Sequence, residues 1–378
     1  MQSHPNARMA TLGVQYQQAL KGTVRDFGKT SVNLTYGQYN SPVGYDNNFT
    51  VSQSIPNPVY LKRMAALAEA NVNASQLQSS IYRAEITYQV KTLYYLLLYK
   101  TEQSKLDKEI VALYSRILKA AEVRFSTGET NGLEKYNANT RLQEAIAQQQ
   151  QNDALSGAYL DQLRLYMGDS TVTGIADTLL REKTLLIALD TGSFRNNPEL
   201  QSLRSQVLVA GREIKVEKSK LLPDFSVGYF NQSLVGTYEK NGAPQYYGPG
   251  KRFQGFEAGI SMPLFAGAQR ARVKAAEINK QVKEAEVEAL SFSLLQRGTA
   301  LLADLKRFQI QINFYRNTAL PQAALLITKS QRAFEAGEMD YYQLSQSISN
   351  AVEVRKQFLE LLNQYNQTAG ELELIAGL

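Results

Sequence analysis

The sequence contains no cysteine and a single histidine, His4. The first absence removes disulfides, thiolate nucleophiles and thiolate metal sites together. The second leaves a zinc-protease motif or a Ser-His-Asp triad with only His4 to draw on. Met64, Met167, Met262 and Met339 are scattered, whereas a soft-metal site needs clustered sulfur or imidazole, so they read as packing residues. There is no Gly-x4-Gly-Lys-Ser/Thr loop, and no Gly-x-Gly-x-x-Gly between a strand and a helix. Glu102, Asp107 and Glu109 fall among lysines on helical faces and read as solvated charges. The chain reads as no enzyme, with no cofactor and no metal ligands.

Long apolar runs are missing too. The longest, Leu93 to Tyr99 (LYYLLLY), is far shorter than the ~20 residues of a membrane-spanning helix, which excludes a helical membrane protein. The net charge of +6 is modest and its basic residues form no blocks, so nucleic acid is not an expected partner. Residues 1–20 show no basic segment followed by an apolar one. Either the protein stays inside the cell or an export signal has been removed ahead of residue 1, and composition does not choose. The lack of cysteine suits an oxidising envelope compartment, although cytosolic proteins also lack it.

What is present is a chain written twice. At 44% hydrophobic and 20% charged residues it suits an ordered protein. His4-Pro-Asn echoes Asn197-Pro-Glu, and the stretch from Lys29 resembles the one from Asp224. Ser54-Ile-Pro56 matches Ser261-Met-Pro263, and Ala68-Glu-Ala-Asn71 matches Ala276-Glu-Ile-Asn279. Arg124-Phe-Ser-Thr-Gly-Glu129 closes the series with Ala333-Phe-Glu-Ala-Gly-Glu338. The offset grows only once, inside 235–253, where the second copy carries a longer loop. Order and near-constant spacing point to duplication.

Each copy reads helix, two strands, long helix, break, long helix. The first repeat, 1–168, holds strands at about 31–40 and 48–55, a long helix at about 60–126 and a return helix at about 133–167. A connector covers 169–196. The second repeat, 197–378, holds strands at about 225–234 and 254–262 and long helices at about 266–334 and 339–368. In the strands Val32, Leu34 and Tyr36 alternate with Asn33 and Thr35, and Phe49 and Val51 with Thr50 and Ser52. Pro42, Gly44 and Asp46-Asn-Asn48 supply turn chemistry between them. Such alternation describes either a sheet packed on a core or a barrel wall with lipid outside and water inside. No proline or glycine interrupts Tyr60 to Phe125, about 100 Å of helix at the usual rise. Leu67, Ala70, Ala74, Leu77, Ile81, Ala84 and Tyr88 mark a heptad seam in it. Pro321 should bend or break the second long helix. Four strands in two hairpins neither close a barrel nor hide their edges, and a head-to-tail ring of subunits would do both.

This plan resembles the outer-membrane efflux channels of the TolC family, over essentially the whole chain. The residues that carry the resemblance are Leu221-Leu-Pro-Asp-Phe-Ser-Val227, Ile260-Ser-Met-Pro-Leu-Phe-Ala-Gly267, Leu320-Pro-Gln-Ala323 and Ala333-Phe-Glu-Ala-Gly337. The resemblance implies a mainly α fold with β: a duplicated helix–hairpin–long helix–turn–long helix, in a trimer whose twelve-stranded outer-membrane β-barrel continues into a periplasmic α-helical barrel. It implies a passive export duct in a tripartite efflux system of the bacterial outer membrane, extending into the periplasm. The partners would be two further copies of itself, outer-membrane lipid, a periplasmic adaptor (membrane fusion protein) and an inner-membrane transporter of the RND type. Phe125, Gly128, Glu129, Phe334, Gly337 and Glu338 would form the adaptor-docking periplasmic tips. Phe125 and Phe334 would anchor the turns, with Glu129 and Glu338 at the start of the returning helices. Gln343 and Gln346 stand where similar channels carry acidic residues, so a pore constriction there would be amide-lined and uncharged. Val32, Leu34, Phe49, Val51, Val227 and Ile260 would face lipid. The stretch Tyr36-Gly-Gln-Tyr-Asn40 resembles channels of heavy-metal cation pumps. A multidrug or type I secretion exit duct is the alternative, and a soluble coiled-coil scaffold or adaptor the further one.

Overall fold

The computed structural model describes residues 5–41, 43–177, 179–184 and 193–378. His4, the turn residue Pro42 and connector positions 178 and 185–192 lie outside the described residues. Helix α1 (Pro5–Lys21) leads into strands β1 (Ser31–Gly37) and β2 (Asp46–Ile55), then α2 (Pro58–Ser126) and α3 (Gly132–Met167). After the connector come α4 (Pro198–Ser219), β3 (Asp224–Ser233), β4 (Gly236–Lys240), β5 (Ala243–Tyr247) and β6 (Arg252–Ser261). Helices α5 (Gly267–Phe314), α6 (Leu320–Glu335) and α7 (Tyr341–Ala376) complete the chain. The fold is mainly α with a smaller β component. Two compact units share these elements. One comprises 11–78 and 202–288 and holds the strands; the other comprises 1–10, 79–201 and 289–378. Each therefore draws on both halves of the sequence.

The four long strands form one antiparallel sheet in the order β1-β2-β3-β6. The two halves of the sequence meet where β2 pairs with β3, as Val51 does with Tyr229. The long loop expected at 235–253 contains a second hairpin, β4 paired with β5, turning at Asn241-Gly242, both with positive φ. Its root is tied to the β1–β2 loop, because the N–H of Val235 donates to Ser41 Oγ at 2.6 Å. Asp46 holds that loop from inside, accepting from the N–H groups of Tyr39 and Asn40 at 2.8 and 2.6 Å.

Helix α2 runs 69 residues. Its buried positions include Val72, Ser79, Ile86, Leu93, Lys100, Asp107, Tyr114 and Ala121, a strict seven-residue repeat. A straight helix drifts from such a period, so holding it over this length imposes a left-handed supercoil. The seam expected from Leu67 to Tyr88 is only half-buried within one chain. Two members of the buried row correct another expectation. Asp107 is 2% exposed, not a solvated charge, and Lys100 is also buried. Asn152 of α3 links them, accepting from Lys100 Nζ at 3.1 Å through Oδ1 and donating through Nδ2 to Asp107.

Pro321 neither breaks nor ends its helix. Proline lacks an N–H and its ring crowds the carbonyl four residues back, here that of Asn317. Residues Tyr315–Ala319 form a single π-helical turn, with Pro321 in the first turn of the α-helix that follows. The buried seam records the extra residue. Leu294, Leu301 and Phe308 are seven apart, as are Ala323 and Ser330, but Phe308 to Ala323 is fifteen, two heptads and one residue more. A π turn inserts that one residue without leaving the helix.

Close approach explains one glycine. A Cβ on Gly298 of α5 would lie 2.1 Å from the ring of Phe194, which is itself buried. The connector's described segment 179–184 is laced to α7 by Asn366. Its amide donates to the carbonyl of Arg181 at 2.8 Å and accepts from the N–H of Lys183 at 2.8 Å. Glu373 then receives Lys183 Nζ at 2.5 Å and Lys91 Nζ at 3.0 Å.

Candidate functional site

Three regions bring chemistry-bearing residues together, beginning with the sheet. Directly opposed residues of antiparallel strands share a face. Val32 faces Val51, then Tyr229, then Phe256; Leu34 faces Phe49; Phe225 faces Ile260. Val227 and Ile260 belong to the same side. All six positions expected to face lipid thus lie on one face. It is exposed in the single chain: Leu34 is 71% and Phe256 87% accessible. Gln53 sits on this apolar face with its amide satisfied, donating to the carbonyls of Phe27 and Ser54 and accepting from Thr30 Oγ1. At the far end Arg252 crosses to Asn231 and Asn47. The opposite face is mostly small and polar: Ser31, Ser52 and Gly228 lie in one row and Asn33 and Thr50 in the next, where Phe230 follows them, and Phe253 lies on this face opposite Gln232.

The two Phe-x-x-Gly-Glu breaks have the same hydrogen bonding. The Glu129 N–H donates to the carbonyl of Arg124 at 2.9 Å, and that of Gly128 to Phe125 at 3.2 Å. Their counterparts are Glu338 to Ala333 at 2.8 Å and Gly337 to Phe334 at 3.1 Å. Gly128 and Gly337 have φ of 77° and 75°. This is the paired-bond helix stop that ends on a left-handed residue, where glycine is least strained. Glu129 and Glu338 therefore close the outgoing helices and do not open the returning ones. Those start at Asn131, whose side chain accepts from Leu133, and at Asp340.

The two tips differ in their aromatic residues. Phe334 is buried in a cluster with Ala121, Ala138, Tyr341 and Leu344. Phe125 is 46% exposed, and only Phe334 anchors its turn in the core. The Arg124 guanidinium lies 4.9 Å from the centre of the Phe334 ring, joining one break to the other. Glu129 and Glu134 flank it at 3.8 and 4.0 Å. Around Phe125 the tip exposes Val123, Leu133 and Tyr136. Sequence reasoning missed these residues, since their exposure depends on where the turn directs them.

The third region is the exposed stripe of α7. Gln343, Gln346, Asn350, Glu353, Gln357 and Gln364 are all exposed and fall on heptad spacing opposite the buried Leu344, Ile348 and Leu362. Gln343 and Gln346 thus begin a long polar row. Gln343 is also committed to a reciprocal cap: its N–H donates to Asp340 Oδ1 at 2.8 Å and its Oε1 accepts from the Asp340 N–H at 3.4 Å. Gln346 donates to Asn350 at 3.2 Å. Among the described residues no cluster of three or more acidic, histidine or cysteine side chains is placed to hold a metal.

With this geometry established, comparison with known proteins gives a consistent result. Residues 193–378 match the outer membrane efflux protein family. The structure is similar to that of CusC, with a TM-score of 0.81 at 16% identity, covering 99% of this chain and 89% of that one. It is similar to the outer membrane protein VceC of Vibrio cholerae, with a TM-score of 0.79 at 14% identity over 100% and 93% of the two chains. For the CmeC outer membrane channel of Campylobacter jejuni the TM-score is 0.76 at 14% identity, over 99% and 83%. No curated protein matches the sequence significantly. Through its second half, residues 193–378, this chain belongs to the outer membrane efflux protein family, and over its whole length it carries the fold of TolC-type outer-membrane channels.

Proposed function

We propose that three copies of this chain form a passive export duct of the outer membrane and periplasm, the exit component of a tripartite efflux system. The observation that carries the reading is the two-faced sheet. One face is apolar and exposed, the other mostly small and polar, and among the described residues strands β1 and β6 leave both edges of the sheet unpaired. Such a sheet is unsuited to water as it stands. Joining β6 of one copy to β1 of the next closes a twelve-stranded ring with lipid outside and water within. Among the described residues no helix is long and apolar enough to cross a membrane, so the strands are the spanning segment in this reading. The polar row of α7 suits a water-filled passage, with Gln343 and Gln346 at its tip end. The exposed Phe125, Leu133 and Tyr136 suit docking of a periplasmic adaptor, which would connect the duct to an inner-membrane transporter of the RND type. Heavy-metal cations are the cargo suggested by Tyr36-Gly-Gln-Tyr-Asn40, and multidrug cargo is the alternative.

Two neighbouring substitutions test the reading. Leu34 is exposed in the single chain, so in a soluble scaffold Leu34→Arg would be harmless. At the middle of a bilayer an arginine on the lipid face costs about 2–4 kcal/mol. Leu34→Arg should therefore deplete the protein from the outer-membrane fraction, whereas Asn33→Arg, on the opposite face, should assemble. Equal recovery of the two variants would contradict the duct.

A further inference from the structure

The four long strands carry four charged residues: Asp46, Asp224, Arg252 and Glu257. Three stand at strand ends and are engaged. Asp46 holds the β1–β2 loop, Asp224 Oδ1 accepts from the N–H of Asn57 at 2.8 Å, and Arg252 is bound to Asn231 and Asn47. Glu257 alone lies between the ends of its strand. The pairing fixes its face: it opposes Gly228, which opposes Ser52, which opposes Ser31. Its row is therefore glycine and serine, on the polar side of the sheet.

Nothing in that row shields the carboxylate. A Cβ on Gly228 would lie 3.6 Å from Glu257 Oε2, so the side chain stands beside a bare stretch of backbone, and the residue is exposed. On the same strand Gly255 and Gly259 leave the neighbouring rows flat. The Phe230 ring lies against Gly255, where an added Cβ would come within 2.7 Å of it. The one large apolar side chain near this point thus lies along the wall, and the Glu257 carboxylate lies over Gly228 on the same exposed face.

We propose that Glu257 sets a preference for cations over anions in the strand-built segment of the channel, one carboxylate from each copy forming a ring. The proposal rests on the reading above, that the polar face lines a water-filled passage. Fixed charge of one sign on low-dielectric walls raises the local concentration of counter-ions and lowers that of co-ions. Gln343 and Gln346, which begin the polar row of α7, are uncharged.

The test is the reversal potential of the purified wild-type channel in a planar bilayer under a potassium chloride gradient, compared with Glu257→Gln and Ser52→Lys. The second variant places an opposite charge in the same row and keeps the test decisive if the first fails to assemble. The wild type should favour potassium, and the preference should weaken between ~0.1 M and ~1 M salt as the screening length falls from ~10 to ~3 Å. Either variant should lower the cation-to-anion permeability ratio at least about twofold. An unchanged ratio in conducting variants would overturn the role of Glu257 while leaving the duct intact. A wild-type protein that forms no channel would overturn the duct itself, and the filter with it.

Discussion

Asp107→Ala should be among the most damaging single changes in the helical unit, although no ligand or partner is expected there. The substitution removes the carboxylate that Asn152 holds and leaves Lys100, 9% exposed, hydrogen-bonded to Asn152 and to the Gln103 side chain, the latter at 2.8 Å, with Glu360 as the remaining carboxylate that attracts it. Breaking a buried charged network from one side costs about 3–5 kcal/mol. Lys100 keeps two amide partners, so the lower figure of about 3 kcal/mol applies. The unfolding entropy of a chain this long converts that to a fall of about 4 °C in Tm, read by the loss of helical circular dichroism in detergent. Arg307→Ala breaks an ion pair whose side chains are 56% and 50% exposed. It should cost at most about 1 kcal/mol. Replacing Lys100, Asn152 and Asp107 together with Met, Leu and Leu should return stability close to that of the wild type, because apolar packing can match a buried polar network. If Asp107→Ala melts no lower than Arg307→Ala, the network does not carry the weight given to it.

The same network responds to alkali. Burial pushes the Lys100 ammonium below the ordinary lysine pKa, outweighing the attraction of Glu360 and Asp107. Between that lowered value and the ordinary one of about 10.4, the unfolded chain holds a proton that the folded chain has released. Stability attributable to Lys100 therefore rises with pH across the window. Burial also raises the phenol of neighbouring Tyr99, so the difference between wild type and Lys100→Met isolates the lysine. A difference that falls as pH rises would refute the sign.

Further outcomes follow from individual contacts. Gly298→Ala should cost about 1–3 kcal/mol, visible as a lowered Tm, because the new methyl meets Phe194, whereas Gly211→Ala should not overpack, its nearest neighbour being the flexible end of Lys280 at 3.9 Å. Gly128→Ala and Gly337→Ala should each destabilise their helix stop by about 1 kcal/mol, measured as faster amide exchange at Glu129 and Glu338. Burial raises the pKa of Glu373, but its bonds to Lys183 and Lys91 outweigh that and hold it below the ordinary glutamate value. Its contribution should be present above the ordinary value and lost as pH falls through the lowered one. Proteolysis within 179–184 should therefore accelerate in acid, and Glu373→Gln should be fast already at neutral pH.

The parts of the fold legible in sequence were those set by local rules. Period-2 alternation located the four long strands, and the empty stretch from Tyr60 to Phe125 located α2, because both depend on neighbours along the chain. The β4–β5 hairpin was legible in principle, since Asn-Gly is a strong turn signal, but Tyr246 and Tyr247 without clear alternation read as loop. Burial was less legible. Lys100 and Asp107 keep the heptad spacing of the buried row, yet charge at such positions reads as solvent-facing until Asn152 arrives from another helix. Pro321 read as a bend, because a π turn depends on the register of the seam either side, which only packing reveals. The tip glycines were legible from their motif, and the unequal burial of Phe125 and Phe334 was not.

The most direct measurement on the central claim is extraction of the protein from cells followed by the mass of the solubilised particle. The duct requires that it stay in the membrane until detergent is added and then migrate as three 42.2 kDa chains within a micelle. A particle released by salt or alkali alone, with the mass of one or two chains in water, would contradict it.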